Sequence, residues 1–270
     1  MEQMGVLAGK EWAFDTAASK YARMRPGYAE DLYKQIFDYC PIDERSKLIE
    51  VGIGGGQATP PFLEKKCHIT AIEYGNNLAD ICREKFKDYN SFEVITSKFE
   101  DVELEDNAYD LIYSASAFHW IPEEIGYTKV FKALKPGGVF ARFANHPFRC
   151  KNEPELASAI DASYKKYYYK FYNKKAEQIK EYSEEDAKRR ANIAEKYAFS
   201  DIKYGLFYRI REFTAEEYVE LLGTYSDHIA IDEEIRTLFF KDIENVINSF
   251  NGVIKIYDTM DLQLARKLQN

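Results

Sequence analysis

Short apolar runs punctuate the chain from residue 47 to residue 144: KLIEV at 47–51, ITAIE at 69–73, FEVIT at 92–96, YDLIYS at 109–114 and GVFARFA at 138–144. Each is too short for a helix and rich in branched or aromatic side chains, which predicts strands. Between them, at about 58–65, 76–87 and 123–134, polar stretches have helical composition. Strand and helix in alternation imply right-handed crossovers and a parallel sheet, with ligands at the carboxyl ends of the strands. Upstream, Leu32, Ile36 and Phe37 have helical spacing and Pro26 with Gly27 breaks the chain before them, so the N-terminal stretch reads as a helical preface.

The rhythm changes after residue 150. In ASYKKYYYKFYNKK, Tyr164, Tyr168 and Tyr172 recur every four residues, and Ile160 and Phe171 extend the stripe. Basic and aromatic residues together can mark RNA binding, but acidic residues follow at once, which favours a helical insertion. KYGLFYRIREF at 203–213 and GVIKIYDTMDLQLARKL at 252–268 read as two more strands with helices between them, the first helix opened by a Thr214–Glu217 capping box. The expected organisation is a helical N-terminal cap at 1–43, a ligand-binding α/β core at 44–149, a helical insertion over the substrate side at 150–202, and the remainder of the core at 203–270.

Composition narrows the chemistry. With 46% hydrophobic residues among 270, the chain can bury a large core. Its 45 acidic against 37 basic residues give a formal charge of −8, which argues against general nucleic-acid or anionic-membrane binding and for small-molecule chemistry. Cys40, Cys67, Cys82 and Cys150 show no paired spacing, so they read as reduced cytoplasmic thiols and not as a metal site. The expected location is cytoplasmic, with no membrane span and no metal.

The strongest local signal is KLIEVGIGGGQAT at 47–59, a strand that stops in glycines 52, 54, 55 and 56. Such a loop lets a ligand approach the main chain closely. Glu50 adds a carboxylate that would repel a phosphate and attract a cation or a donor. The second strand ends in Glu73, 17 residues after Gly56, placed to accept hydrogen bonds from a ribose diol. A dinucleotide frame starting at Gly52 needs glycine or alanine where Gln57 stands, and one starting at Gly54 needs it where Thr59 stands. A phosphate-binding P-loop fails as well, because no Gly-Lys-Ser/Thr follows.

What remains resembles the class I S-adenosylmethionine-dependent methyltransferases, in particular the small-molecule subgroup that includes trans-aconitate methyltransferase-like proteins. IEVGIGGGQATPP is similar to the first motif, AIEYGNNLADICREKF to the second strand and helix, and SKFEDVELEDNAYDLIYSASAFHWI to the segment running through the fourth strand. LKPGG at 134–138 resembles the turn before the fifth strand, FDTAASKYARMRPGY the N-terminal stretch, and TAEEYVELLGTYS part of the C-terminal half. The resemblance implies a Rossmann-like seven-stranded sheet, mostly parallel, with S-adenosyl-L-methionine as cofactor and S-adenosyl-L-homocysteine as product. It implies that Glu50, Gly52, Gly54 and Gly56 hold the methionine portion, that Glu73 takes the ribose hydroxyls, and that Tyr74 lies beside the adenine. Phe99 would supply a backbone N–H to the ring. Lys98 stands where the family has an acid, which leaves the adenine amino group to Glu100 or a main-chain carbonyl. Ser114, Ala115 and His119 would pass under the sulfonium, with Tyr21 and Arg25 from the preface as further cofactor contacts.

His119 suits a base acting on a substrate proton, because its ordinary pKa lies near neutrality. AFHWIP also reads as a helical turn packing the sheet edge, and packing or pocket lining is the weightier reading. Trp120 and His146 are candidate walls of the acceptor pocket. Two rival readings stand beside methyl transfer to a small molecule: a non-catalytic cofactor-binding module, and a nucleic-acid methyltransferase.

Overall fold

The computed structural model describes residues 23–177 and 179–268. Strands β1 (Lys47–Val51), β2 (His68–Glu73), β3 (Phe92–Thr96), β4 (Tyr109–Ala115), β5 (Leu134–Arg149), β6 (Phe199–Thr214) and β7 (Val253–Lys267) form one seven-stranded sheet in the order β3-β2-β1-β4-β5-β7-β6. Strands β1 to β5 pair in parallel. Four of the five β1 residues, Leu48 to Val51, are buried, as expected of a central parallel strand covered on both faces.

The chain divides into two compact units. Among the described residues, the α/β unit spans 26–145, 182–207 and 260–268, and the helical unit takes 23–25, 146–177, 179–181 and 208–259. This division falls inside β5, β6 and β7 and cuts the expected insertion at 150–202 after residue 181.

In the α/β unit, alternate side chains of each strand feed two cores. Leu48, Ile69, Leu111 and Val139 face helices α1 (Glu30–Tyr39), α2 (Pro60–Leu63) and α3 (Asn76–Lys85) through Leu32, Ile36, Phe62 and Cys82. Ile49, Ile72, Ile112 and Phe140 face helix α4 (Glu123–Ala133) through Tyr127 and Val130. Burying such side chains from water is worth about 1.5–3 kcal/mol each, which holds the strand ends in fixed register.

Two elements differ from their sequence expectation. The helix expected at 58–65 is the single turn α2, with Pro60 and Pro61 at its first positions, where a missing N–H costs nothing, and Lys66 just beyond it at φ 59°. The strand expected at 138–144 is the much longer β5, which takes in LKPGG. The pairing slips between Tyr109↔Leu134 and Leu111↔Val139, so Pro136 and Gly137, the latter at φ 80°, form an irregularity within a strand and not a turn before one.

The helical unit packs α5 (Pro154–Tyr164), which runs into a π-turn at Lys165–Tyr169, against α7 (Ala215–Leu222), the short α8 (Ser226–Ile229) and α9 (Glu233–Ser249). Helix α6 (Glu184–Ala191) belongs to the α/β unit. Leu156, Ile160, Tyr164, Tyr218, Phe239 and Ile243 make the core of the helical unit. Thr214 and Glu217 form the capping box read in the sequence, each accepting a hydrogen bond from the other's backbone N–H. Among the described residues no helix is long and apolar enough to cross a membrane, and no group of three or more His, Cys, Asp or Glu side chains could hold a metal ion. The four cysteines are free and buried.

Candidate functional site

The carboxyl ends of β1, β2 and β4 meet because their registers align: Val51 stands beside Ile72, and Glu50 beside both Ala71 and Tyr113. The chain leaves β1 through Gly52, Gly54 and Gly56, which adopt φ of 72°, 57° and 72°. A side chain on Gly52 would place its Cβ 2.4 Å from the Cβ of Ala117, so the loop requires glycine there for conformation and for space. Gly52 N–H donates to Ile72 O at 2.8 Å, and Gly54 N–H donates to Glu73 Oε2 at 2.8 Å. Gly75 N–H completes the arrangement by donating to Glu73 Oε1 at 3.0 Å. Lys85 closes the far side, its ammonium donating to the carbonyls of Gly55 and Gly56 at 3.0 and 3.1 Å. Loop and carboxylate therefore form one hydrogen-bonded piece.

Beneath the loop Glu50 is 1% exposed. Its Oε2 accepts from Thr59 Oγ1 and Tyr113 Oη, both at 2.8 Å, while Oε1 is buried without a hydrogen-bond partner. Burial pushes this carboxyl up to about 7, against the hydrogen bonds from Tyr113 and Thr59, with the charge of Glu73 adding to the rise and Lys85 opposing it. Thr59 and Tyr113 were not singled out from the sequence. Tyr113 alternates with apolar residues in YDLIYS and reads as core; the signal that could have found it is a phenol on an inner strand, which needs a buried partner.

Tyr74 is 50% exposed just past β2, with the Lys98 ammonium 5.4 Å from its ring centre. Phe99 is buried and opens a 3-10 turn at Phe99–Asp101. Lys129 donates to the carbonyls of Phe99 and Glu100 at 2.6 and 2.8 Å, so those two carbonyls are already engaged. The Glu100 side chain is half-buried. Ser114 is fully buried and donates through Oγ to Val51 O at 2.8 Å, which stitches β4 to β1 and turns its side chain away from a ligand. Ala115 follows half-buried at the strand end. Ser116, at φ 56°, shares a 2.8 Å hydrogen bond between its Oγ and the Tyr28 hydroxyl.

His119 and Trp120 lie half-buried in a 3-10 turn, Phe118–Trp120, with ring centres 5.1 Å apart. Phe118 anchors that turn against Tyr127 and Phe140, and a Cβ on Gly126 would come within 2.7 Å of it. Two candidates belong to the helical unit. There the Arg25 guanidinium donates to Thr224 Oγ1 and O at 3.1 and 3.2 Å and lies 4.1 Å from the Tyr225 ring centre, and His146 is half-buried on β5. Tyr21 lies outside the described residues.

Residues 49–141 match a family described as a methyltransferase domain. An uncharacterized methyltransferase of Schizosaccharomyces pombe is 23% identical over 240 residues, covering 83% of this chain and 88% of the relative. Phosphoethanolamine N-methyltransferase 2 of Haemonchus contortus, solved with S-adenosyl-L-methionine, shares the fold at a TM-score of 0.53 and 15% identity over 94% of this chain and 57% of its own. The chain thus spans just over half the length of that enzyme. The cyclase SpnF shares the fold equally well, at a TM-score of 0.53 and 12% identity over 100% of this chain and 95% of its own. Likeness at these identities is a likeness of fold, and one fold carries several chemistries.

Proposed function

We propose that this chain, an S-adenosylmethionine-dependent methyltransferase, delivers the methyl group to a small-molecule acceptor and does so mainly by alignment. The residues present fit the cofactor. The loop at 52–56 is a cradle that a Cβ at Gly52 would block, Glu73 offers an acceptor pair fixed by two backbone N–H groups, and a second acid, Glu50, lies beneath the loop. The observation that carries the reading is the bond from Gly54 N–H to Glu73 Oε2, which locks the methionine-binding loop to the ribose-binding carboxylate.

When bound, the cofactor supplies a methyl group activated by positive sulfur: the acceptor's lone pair forms the new bond to carbon as the carbon–sulfur bond breaks, leaving S-adenosyl-L-homocysteine. The protein's own task is to orient and to exclude water. Glu73 would hold the ribose hydroxyls, Tyr74 would cover the adenine, and the Phe99 N–H would serve its ring. With the Phe99 and Glu100 carbonyls each accepting from Lys129, the Glu100 carboxylate would be the favoured acceptor for the adenine amino group. Ala115 and the main chain of Ser114 would line the path to the sulfur. His119 would take a proton from the acceptor where the acceptor carries one, with Trp120 beside it as a pocket wall.

A small acceptor is favoured over nucleic acid because the tyrosines that might have stacked on bases are used internally. Tyr164 is in the core of the helical unit, Tyr168 donates to Asp227 Oδ2 at 2.7 Å, and Tyr172 donates to Asp227 O at 2.5 Å. The test is release of S-adenosyl-L-homocysteine with panels of small carboxylates, phenols, amines and thiols against RNA and protein fractions. Turnover stimulated by a small molecule is expected. Stimulation by RNA or protein alone would contradict the reading, and cofactor binding without turnover on any panel would make the chain a binding module.

A further inference from the structure

Glu50 is a buried carboxylate that makes no ion pair among the described residues. Its partners are the hydroxyls of Thr59 and Tyr113, and its Oε1 has no partner. The charged and titratable groups around it come from every neighbouring element: Glu73 on β2, Tyr113 on β4, and Cys82 and Lys85 on α3. Burial raises the Tyr113 hydroxyl well above its ordinary range and the Cys82 thiol to about 12, so both keep their protons near neutrality. The Lys85 ammonium is held by the carbonyls of Gly55 and Gly56. Glu50 thus lacks the backbone N–H donors that hold Glu73, keeps one buried oxygen without a partner, and stands two residues before the first glycine of the cradle.

We propose that Glu50 is a residue that discriminates cofactor from product: it carries a proton in the empty protein, releases it to solvent when the positively charged cofactor occupies the glycine loop, and takes it back with the neutral-sulfur product. This rests on the cofactor reading above. The physical cause is charge in a poorly screened place. An isolated buried carboxylate ionises reluctantly, and a cation set beside it in a low dielectric reverses the balance. Cofactor and product share the ammonium and carboxylate of their methionine portion and differ in the sulfonium charge, so the coupling favours the cofactor. By linkage, the ratio of product to cofactor dissociation constants rises with pH, by at most about tenfold per pH unit for one proton. Tyr113 and Thr59 act as positioning residues, because their hydroxyls stabilise the ionised form on Oε2.

The experiment is titration calorimetry of the whole protein with S-adenosyl-L-methionine and, separately, with S-adenosyl-L-homocysteine, at pH 7 in two buffers of different ionisation enthalpy. The cofactor is expected to release about half a proton per site, rising toward one at lower pH, and the product distinctly less. In Glu50→Gln the release vanishes while binding persists. In Tyr113→Phe the release persists and its midpoint moves to higher pH, which a merely structural role would not produce. Binding whose heat is independent of buffer, equal release by both ligands, or release that survives in Glu50→Gln would each overturn the inference while leaving the cofactor reading intact. Absence of binding by either ligand would overturn both.

Discussion

Glu50 in the α/β unit and Asp258 in the helical unit are both 1% exposed, yet they are compensated in opposite ways. Asp258 is gripped by two guanidinium groups, with Arg211 at 2.6 and 2.9 Å and Arg209 at 3.0 Å. Glu50 has two hydroxyls and an unpartnered oxygen. Desolvation of a charge is offset only by an opposite charge and good hydrogen bonds, so the charge of Asp258 is compensated within the unit and that of Glu50 is not. The difference separates an acid held by ion pairs from one held by hydroxyls alone.

Breaking the ion-paired acid is expected to have the largest effect. Asp258→Ala leaves two partly buried guanidinium groups without their carboxylate and should cost about 4 kcal/mol, read as a lower urea midpoint. An unchanged midpoint would remove the contrast.

The acid held by hydroxyls shows itself through pH. Its folded pKa lies above its unfolded value, so its contribution to stability is full below the unfolded pKa and is lost as pH rises through about 7. The ligand-free protein is expected to lose about 3 kcal/mol from this group between pH 4 and pH 8, and Glu50→Gln to flatten that limb. Asp227 in the helical unit gives the opposite sign. Burial acts to raise it, but the neighbouring His228 ring at 2.9 Å and the Tyr168 hydroxyl outweigh burial and hold it below the ordinary carboxylate range. Its contribution is present above the unfolded pKa and lost as pH falls below it, so Asp227→Asn should flatten the acid limb alone. Thermal unfolding followed from pH 2 to pH 9 separates the two.

Smaller effects concern the ligand. Glu73→Gln keeps the side chain's shape but loses one acceptor and the charge, and is expected to weaken S-adenosyl-L-homocysteine binding by roughly 30-fold, about 2 kcal/mol. Lys98→Ala should change it by about twofold at most, because an ammonium near an exposed ring contributes little. A large loss in Lys98→Ala would mean that this cation, and not Glu100, organises the adenine end.

Much of this was legible in the letters. The strand–glycine–strand spacing, Glu50, Glu73 and the Thr214 capping box are local signals, each set by residues close together in sequence, and the structure has them where the spacing put them. Tertiary facts were not. Tyr113 and Thr59 meet only at Glu50, 63 and 9 residues away. β5 extends through Pro136 because an irregular register absorbs a residue that would end an ordinary strand. The resemblance puts Ser114 in the loop that passes under the sulfonium, whereas Ser114 lies inside β4 and donates its hydroxyl to Val51 O. The helical unit gathers segments separated by the 182–207 stretch, which no linker composition announces.

The most direct measurement is a crystal structure of the protein with S-adenosyl-L-homocysteine bound. The account predicts both ribose hydroxyls within hydrogen-bond distance of the Glu73 carboxylate and the methionine portion against the main chain of Gly52 to Gly56. A product bound elsewhere, or a ribose that leaves Glu73 uncontacted, would contradict it.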